Sequence, residues 1–202
     1  ARSVFASLGL PAIGFRAPYL ASNETTRELL GRDGFLYDSS TPRFLLGPDS
    51  PAFAPTLRLA ESRYGVDLSA SAAPRRVGNF MELPVALPDD EILIDGLGIR
   101  RPSTIERVFE SILETAGGRG SVIVLQVHPE RFHLCRTAVE RVVARATDLG
   151  GWITPLSHIA RWALRNHSGS GRWPQGRPFA LSVTGDLDAL SLGDFVRRRW
   201  GA

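Results

Sequence analysis

The stretch SVIVLQV at residues 121–127 is the clearest strand signal in the sequence and decides the fold. A continuous run of apolar and β-branched residues is typical of a parallel strand that is covered on both faces. Short apolar segments alternate with amphipathic helical patterns on both sides of this run, and that alternation predicts an α/β architecture. His128 and Pro129 follow the run directly, so the strand is predicted to end there.

His128 is the first candidate for chemistry. A histidine at the end of a buried strand has a rigid backbone and a partly desolvated ring, and both conditions suit a general acid or base. The same placement also fits a histidine that is only buried and hydrogen-bonded. The residue alone does not separate these two interpretations.

The rest of the chain is predicted to alternate helices and strands. Helices are predicted at 24–30, from 102 to the glycines at 117–118, and at 134–149, 155–165 and 190–199, and strands at 12–15, 35–38, 80–85, 152–153 and 179–183. Residues 41–79 are predicted to form a long, partly irregular segment with one or two strands. The predicted organisation is a main unit at 1–166, a Gly/Ser/Pro-rich linker at 167–178 and a strand–helix extension at 179–202.

Composition argues against several classes of function. The 202 residues carry 24 basic side chains, all of them Arg, and 21 acidic ones, for a net charge of +3. Because the two signs alternate along the chain, a mixed solvated surface is favoured and no nucleic-acid partner is predicted. No apolar run approaches about 18 residues, so no membrane span is predicted either. The single Cys135 is predicted to be a small buried residue.

A second candidate is Arg16, within the segment GFRAPY at residues 14–19. An Arg that follows a short strand and precedes a Pro is delivered on a stiff turn to the carboxyl edge of a sheet, where α/β proteins build their sites. An Arg paired with a surface carboxylate fits these residues equally well. The segment GFLYDSS at residues 34–40 is a related pattern about twenty residues further on.

Together these segments resemble the polysaccharide deacetylase family, which has the NodB-homology fold of carbohydrate esterase family 4. Arg16-Ala17-Pro18-Tyr19 matches the family's third motif, R-x-P-[YF], and Leu125 to His128 is similar to its fifth motif, a strand with Leu and then His. The resemblance covers about residues 1–166. It implies a distorted (β/α) barrel of the glycoside hydrolase/deacetylase type, lacking its first strands.

The resemblance also implies an activity and roles for four residues. The expected reaction is metal-dependent hydrolysis of a non-peptide C–N bond, with an N-acetylated carbohydrate or a related small amide as substrate. His128 would be the general acid, and Arg16 would orient and support a carboxylate base. The backbone N–H of Tyr19 would bind the oxyanion, and Leu125 would help to line the pocket for the acetyl methyl group.

The family's first two motifs, which supply the base and the metal ligands, should precede residue 1. The chain does not begin with Met, and its only Met is Met81, so it is expected to be an N-terminally truncated form with negligible activity alone. The divalent metal, expected to be zinc, would take its ligands upstream of residue 1. No metal ligand is assigned within this sequence.

Two alternatives remain open. One is a catalytically inactive carbohydrate-binding relic of the same fold. The other is a phosphatase that uses Asp186, because FALSVTGDLD at residues 179–188 is an apolar strand followed by D-x-D; the T-G-D-x-D part also weakly resembles the first deacetylase motif. The simpler interpretation is that Asp186 or Asp188 caps the last helix. The carboxylates of Glu82, Asp89 and Asp90 either contact substrate or solvate a loop, and the prediction favours the loop.

Overall fold

The computed structural model describes residues 2–69, 71–117, 120–166 and 173–186. In this part of the chain the helices are α1 (Arg2–Ser7), α2 (Glu24–Arg32), α3 (Phe53–Tyr64), α4 (Pro102–Ala116), α5 (Phe132–Asp148) and α6 (Leu156–Arg165). The strands are β1 (Gly14–Phe15), β2 (Tyr37–Asp38), β3 (Pro42–Phe44), β4 (Arg75–Val77), β5 (Phe80–Glu82), β6 (Val85–Leu87), β7 (Val122–Val127), β8 (Trp152–Ile153) and β9 (Ala180–Gly185). The predicted α/β class is confirmed.

The described strands form three sheets, none of which closes on itself. The first has the order β1-β2-β5-β4, in which only β4 is antiparallel to its neighbour. The second pairs β3 with β6 in parallel. The third has the parallel order β7-β9-β8. Most strands therefore run in parallel with their neighbours, so within each sheet their carboxyl ends lie at one edge.

The strand predicted at 179–183 lies at the centre of the third sheet. It extends to Gly185, pairs with β7 along its whole length and pairs with β8 on its other edge. The segment assigned to a C-terminal extension therefore supplies the middle strand of this sheet. The helix predicted at 190–199 lies outside the described residues, as does the first half of the predicted linker, residues 167–172.

The β7 strand is buried along all six residues and separates two apolar clusters. Ile123, Leu125 and Val127 pack into the larger cluster, under α3, α4 and α5, whereas Val122 and Val124 pack into a smaller one that includes residues of α6. Alternate residues of a strand point to opposite faces. This burial on both faces explains why the sequence of β7 is continuously apolar.

Two predictions between residues 41 and 85 need correction. The segment 41–79 holds two strands, β3 and β4, as predicted, but it also contains the 12-residue helix α3, which was not predicted. Its Pro55 lies in the first turn, where a missing N–H costs nothing. Gly65 ends the helix with a φ of 59°, so Gly65 was a usable signal for the helix end. The strand predicted at 80–85 is two strands, separated at Pro84.

Candidate functional site

The centre of the candidate site is a buried pair formed by His128 and Asp90. His128 directly follows β7, and its side chain is 1% exposed, whereas that of Asp90 is fully buried. The Nδ1 atom of His128 lies 2.6 Å from Oδ1 of Asp90, and the backbone N–H of His128 donates to Oδ2 of Asp90 at 2.7 Å. An ionised carboxylate can only accept, so the proton between the two groups is assigned to Nδ1.

The electrostatics of this pair favour a charged histidine. Burial alone would lower the pKa of His128, but the hydrogen bond to Asp90 and the charges of Asp90 and Asp89 outweigh it and raise the pKa. Burial raises the pKa of Asp89, which is 2% exposed and caps the backbone N–H of Ile92 at 2.9 Å. Perturbed groups of this kind cluster at functional sites.

Gln126 connects His128 to the next strand. Its Nε2 atom lies 3.3 Å from Nε2 of His128 and donates to Oδ2 of Asp186, also at 3.3 Å. Asp186 directly follows β9, and its backbone N–H donates to the carbonyl of Val127. Gln126 is 5% exposed, and its Oε1 atom has no hydrogen-bond partner among the described residues. A buried amide thus bridges an imidazole and a carboxylate.

Arg16 directly follows β1 and is held by three hydrogen bonds. Its Nε donates to the carbonyl of Ser39 at 2.9 Å, one terminal nitrogen donates to the Ser39 hydroxyl at 3.0 Å, and the other donates to the Thr184 hydroxyl at 2.9 Å. Burial lowers its pKa, while the nearby carboxylate of Asp186 acts in the opposite direction. The interpretation of Arg16 as the partner of a surface carboxylate is wrong, because its hydrogen bonds tie β1 to β2 and β9.

A cleft of about 410 Å³ opens beside these strand ends. Arg16, Tyr37, Ser39, Thr184 and Asp186 are among the residues that line it. His128 does not line this cleft. Asp186 lines it, and the Gln126 amide connects Asp186 to His128. The fold therefore brings Arg16, after β1 of the first sheet, close to the strand ends of the third sheet, where His128 follows β7. Asp186 lies near Arg16 and is linked to His128 through Gln126.

Tyr19 lies apart from the buried pair, with 83% of its surface exposed. Both Tyr19 and Leu20 have left-handed backbones, with φ of 54° and 56°. Such a conformation costs a non-glycine residue about 1 kcal/mol or more and is found most often at functional sites. The turn holding Tyr19 begins at Ala17, whose N–H donates to the Ser40 hydroxyl at 2.8 Å.

Leu125 lies on the opposite face of β7 from Gln126 and His128. It is 1% exposed and belongs to the larger apolar cluster. Its carbonyl accepts a hydrogen bond from the Thr184 hydroxyl at 3.3 Å. The structure therefore separates the side chain of Leu125 from that of His128.

The prediction that Glu82, Asp89 and Asp90 solvate loops is wrong, because all three are buried. Sequence reasoning thereby missed Asp90, and it gave no role to Gln126. A signal was present for Asp90: it follows the apolar strand β6 by three residues, as His128 follows β7. Polar residues just after buried strands gather at one edge of a sheet.

No cluster of three or more His, Cys, Asp or Glu side chains in the described residues could hold a metal ion. This part of the chain therefore does not by itself fit the divalent metal that the resemblance implies. Asp188 lies outside the described residues, as does the helix that Asp186 or Asp188 was predicted to cap.

Comparisons with protein-family models, with curated proteins and with solved structures give no match for this chain. The resemblance to polysaccharide deacetylases thus depends on the motifs quoted above. Among the described residues, no helix has both the length and the apolar character needed to cross a bilayer.

Proposed function

We propose that this chain is part of a hydrolase of non-peptide C–N bonds that removes the acetyl group from an N-acetylated carbohydrate or a related small amide. The observation that carries the proposal is the buried Asp90–His128 pair at the end of β7. A histidine whose Nδ1 is fixed by a carboxylate presents Nε2 in one orientation, as proton transfer requires.

The proposed role of His128 follows from the bonds that change. Hydrolysis joins a water oxygen to the amide carbonyl carbon and breaks the C–N bond, and the departing nitrogen must gain a proton. The raised pKa of His128 favours a proton on Nε2, so His128 is proposed to supply it as the general acid. Asp90 orients the ring and stabilises its positive charge.

The proposed role of Arg16 is electrostatic. Its guanidinium lines the cleft and is fixed by Ser39 and Thr184, so it is held ready for negative charge beside it. Asp186 lines the same cleft and is the described carboxylate best placed to act with Arg16. Tyr19 is proposed to offer its backbone N–H to the oxyanion.

The proposal also includes a barrel arrangement of the three sheets and a divalent metal. The three sheets are proposed to be parts of one distorted (β/α) barrel, because hydrogen bonds join strand ends of different sheets, as between Arg16 and Thr184. The divalent metal, with ligands outside the described residues, is included through the resemblance alone.

The test measures acetate release from N-acetylated oligosaccharides by the intact protein, with and without added zinc. The wild-type protein is expected to turn over, and His128→Gln to lose at least about a hundredfold in rate. His133→Gln, a change of the same kind at an exposed position, should leave the rate unchanged. Oligosaccharide binding without turnover would support the inactive relic instead, and hydrolysis of phosphate esters that is lost in Asp186→Asn would support the phosphatase.

A further inference from the structure

The side-chain amide of Gln126 contacts both a titratable ring and a carboxylate of the site. Its nitrogen lies 3.3 Å from Oδ2 of Asp186 and 3.3 Å from Nε2 of His128. Because an amide NH₂ group can only donate, one hydrogen can bond to the carboxylate and the other to the lone pair of Nε2. The bond to His128 forms only while Nε2 carries no proton.

The reverse orientation of the amide is unfavourable. Turning it would place Oε1 of Gln126 against the carboxylate of Asp186, with two acceptors facing each other. In the observed orientation Oε1 of Gln126 is buried without a partner among the described residues, which costs free energy. The hydrogen bonds of the amide nitrogen to Asp186 and His128 can offset that cost. As long as Asp186 is ionised, it holds the amide in the orientation that donates to Nε2.

We propose that Gln126 is a positioning residue whose amide, anchored on the Asp186 carboxylate, donates to Nε2 of His128 and thereby favours release of the proton from that nitrogen. A hydrogen bond to the neutral form of a group stabilises that form. Gln126 thus opposes Asp90, which stabilises the charged ring. An acid that must give up its proton in each turnover works best when its two forms are closely balanced.

Other charged groups of the described residues also act on His128. Asp90 and Asp89 favour the charged ring, and Arg131, at the start of α5, disfavours it. Asp186 acts through the amide and, being negative, would by itself favour the charged ring. Among these influences, Gln126 provides the hydrogen bond that distinguishes protonated from neutral Nε2 directly.

The test is an NMR titration of the histidine ring nitrogens in ¹⁵N-labelled intact protein. Gln126→Met keeps the approximate size of the side chain and removes both donors, whereas Gln126→Glu keeps the shape and adds a charge. At a fixed pH, the ratio of protonated to neutral His128 should rise by about threefold to tenfold in Gln126→Met and by more in Gln126→Glu. Gln175→Met, the same change at an exposed position, should not alter it.

An unchanged or lower ratio in Gln126→Met would overturn the proposal. If Gln126→Met does not fold, the wild-type protein still decides: the side-chain NH₂ signals of Gln126 should shift as His128 titrates, because the bond to Nε2 exists only in the neutral ring, and NH₂ signals that stay unchanged would overturn the proposal. The inference rests on the proposed function only in taking His128 as the acid. The titration needs no substrate, so a shifted titration in a protein without hydrolase activity would uphold the role of Gln126 and reject the function.

Discussion

Two buried carboxylates near the ends of neighbouring strands have different partners. Glu82 ends β5 and is 4% exposed; it accepts from Arg75 at 2.8 Å and from Arg27 at 3.3 Å. Asp90 follows β6 and is fully buried; it bonds to His128 through both of its oxygens. In the sequence these two acidic residues look alike.

The partner decides what each carboxylate can do. Arg remains charged throughout the accessible pH range, and the side chains of Arg27 and Arg75 are 25% and 60% exposed. The Glu82 group is thus a fixed ion-pair network near the surface. The ring of His128 can gain and lose a proton near neutral pH, so the Asp90 group can take part in chemistry. Burial of a carboxylate does not by itself mark a site.

The largest expected difference between the two groups is in catalytic rate. His128→Gln should lower kcat by about 10² to 10⁴ in the intact protein, because it removes the proposed proton donor. Glu82→Gln should leave kcat within about twofold, because the proposed mechanism gives Glu82 no part in the reaction. Steady-state kinetics on an N-acetylated oligosaccharide measures both, and an equal loss in the two variants would break the comparison.

The next difference is in the free energy of unfolding. Asp90→Ala leaves two buried donors of His128 without an acceptor and should cost about 3–5 kcal/mol, as when one partner of a buried pair is removed. Glu82→Gln keeps an acceptor beside two solvated Arg side chains and should cost about 1 kcal/mol. Urea unfolding of each variant, with the m-value as a control for changes in the unfolded state, gives the two numbers. Similar costs would mean that the Asp90 pair is no more critical to folding than the surface network.

The same contrast explains how much of the fold was predictable. Helix α4 and strand β7 were predicted because their apolar spacing records which faces are buried, and every predicted apolar residue of α4 is buried. Helix α3 was missed because only Thr56 and Ala60 are fully buried, while its larger apolar residues Phe53, Leu57, Leu59 and Tyr64 are partly exposed where they pack against the core. A short apolar face gives a weak periodic signal, and the Pro-rich context of α3 concealed it further.

Site residues were predictable only where they directly follow a strand that the sequence pattern identifies. His128 and Arg16 were found because each directly follows a recognisable strand. Asp90 was missed although it follows β6, because its partner is 38 residues away and no local pattern identifies that partner. Gln126 was missed because a polar residue within an apolar run signals a partner without saying which one. The contacts that distinguish Asp90 from Glu82 are all tertiary.

A smaller effect concerns two Arg side chains, one from each region. Arg16→Lys replaces a planar group that bonds to Ser39 and Thr184 at once, and a single ammonium cannot reproduce that geometry. It should lower kcat/KM by about tenfold. Arg75→Lys keeps one exposed ion pair with Glu82 and should have no kinetic effect, so a loss of activity in Arg75→Lys would show that the Glu82 network reaches the active centre.

The smallest expected effect is a difference in pH dependence with opposite signs. For Glu82, burial alone would raise the pKa, but the bonds and charges of Arg75, Thr41 and Arg27 outweigh it, and the pKa is lowered. Its contribution to stability is therefore present above pH about 4.5 and is lost as the pH falls through the lower folded-state value. The folded state instead raises the pKa of His128. The contribution of His128 to stability is complete below pH about 6.5 and is lost as the pH rises through the folded-state value.

The difference in unfolding free energy between the wild type and Glu82→Gln should thus become smaller in acid. The difference between the wild type and His128→Gln should become smaller in base, and each should change by about 1 kcal/mol or less per pH unit. Chemical unfolding of the three proteins from pH 3 to pH 10 separates the two slopes, because titrating groups far from the replaced residue cancel in the differences. Two gaps that narrow at the same end of the pH range would show that His128 and Glu82 belong to one electrostatic network.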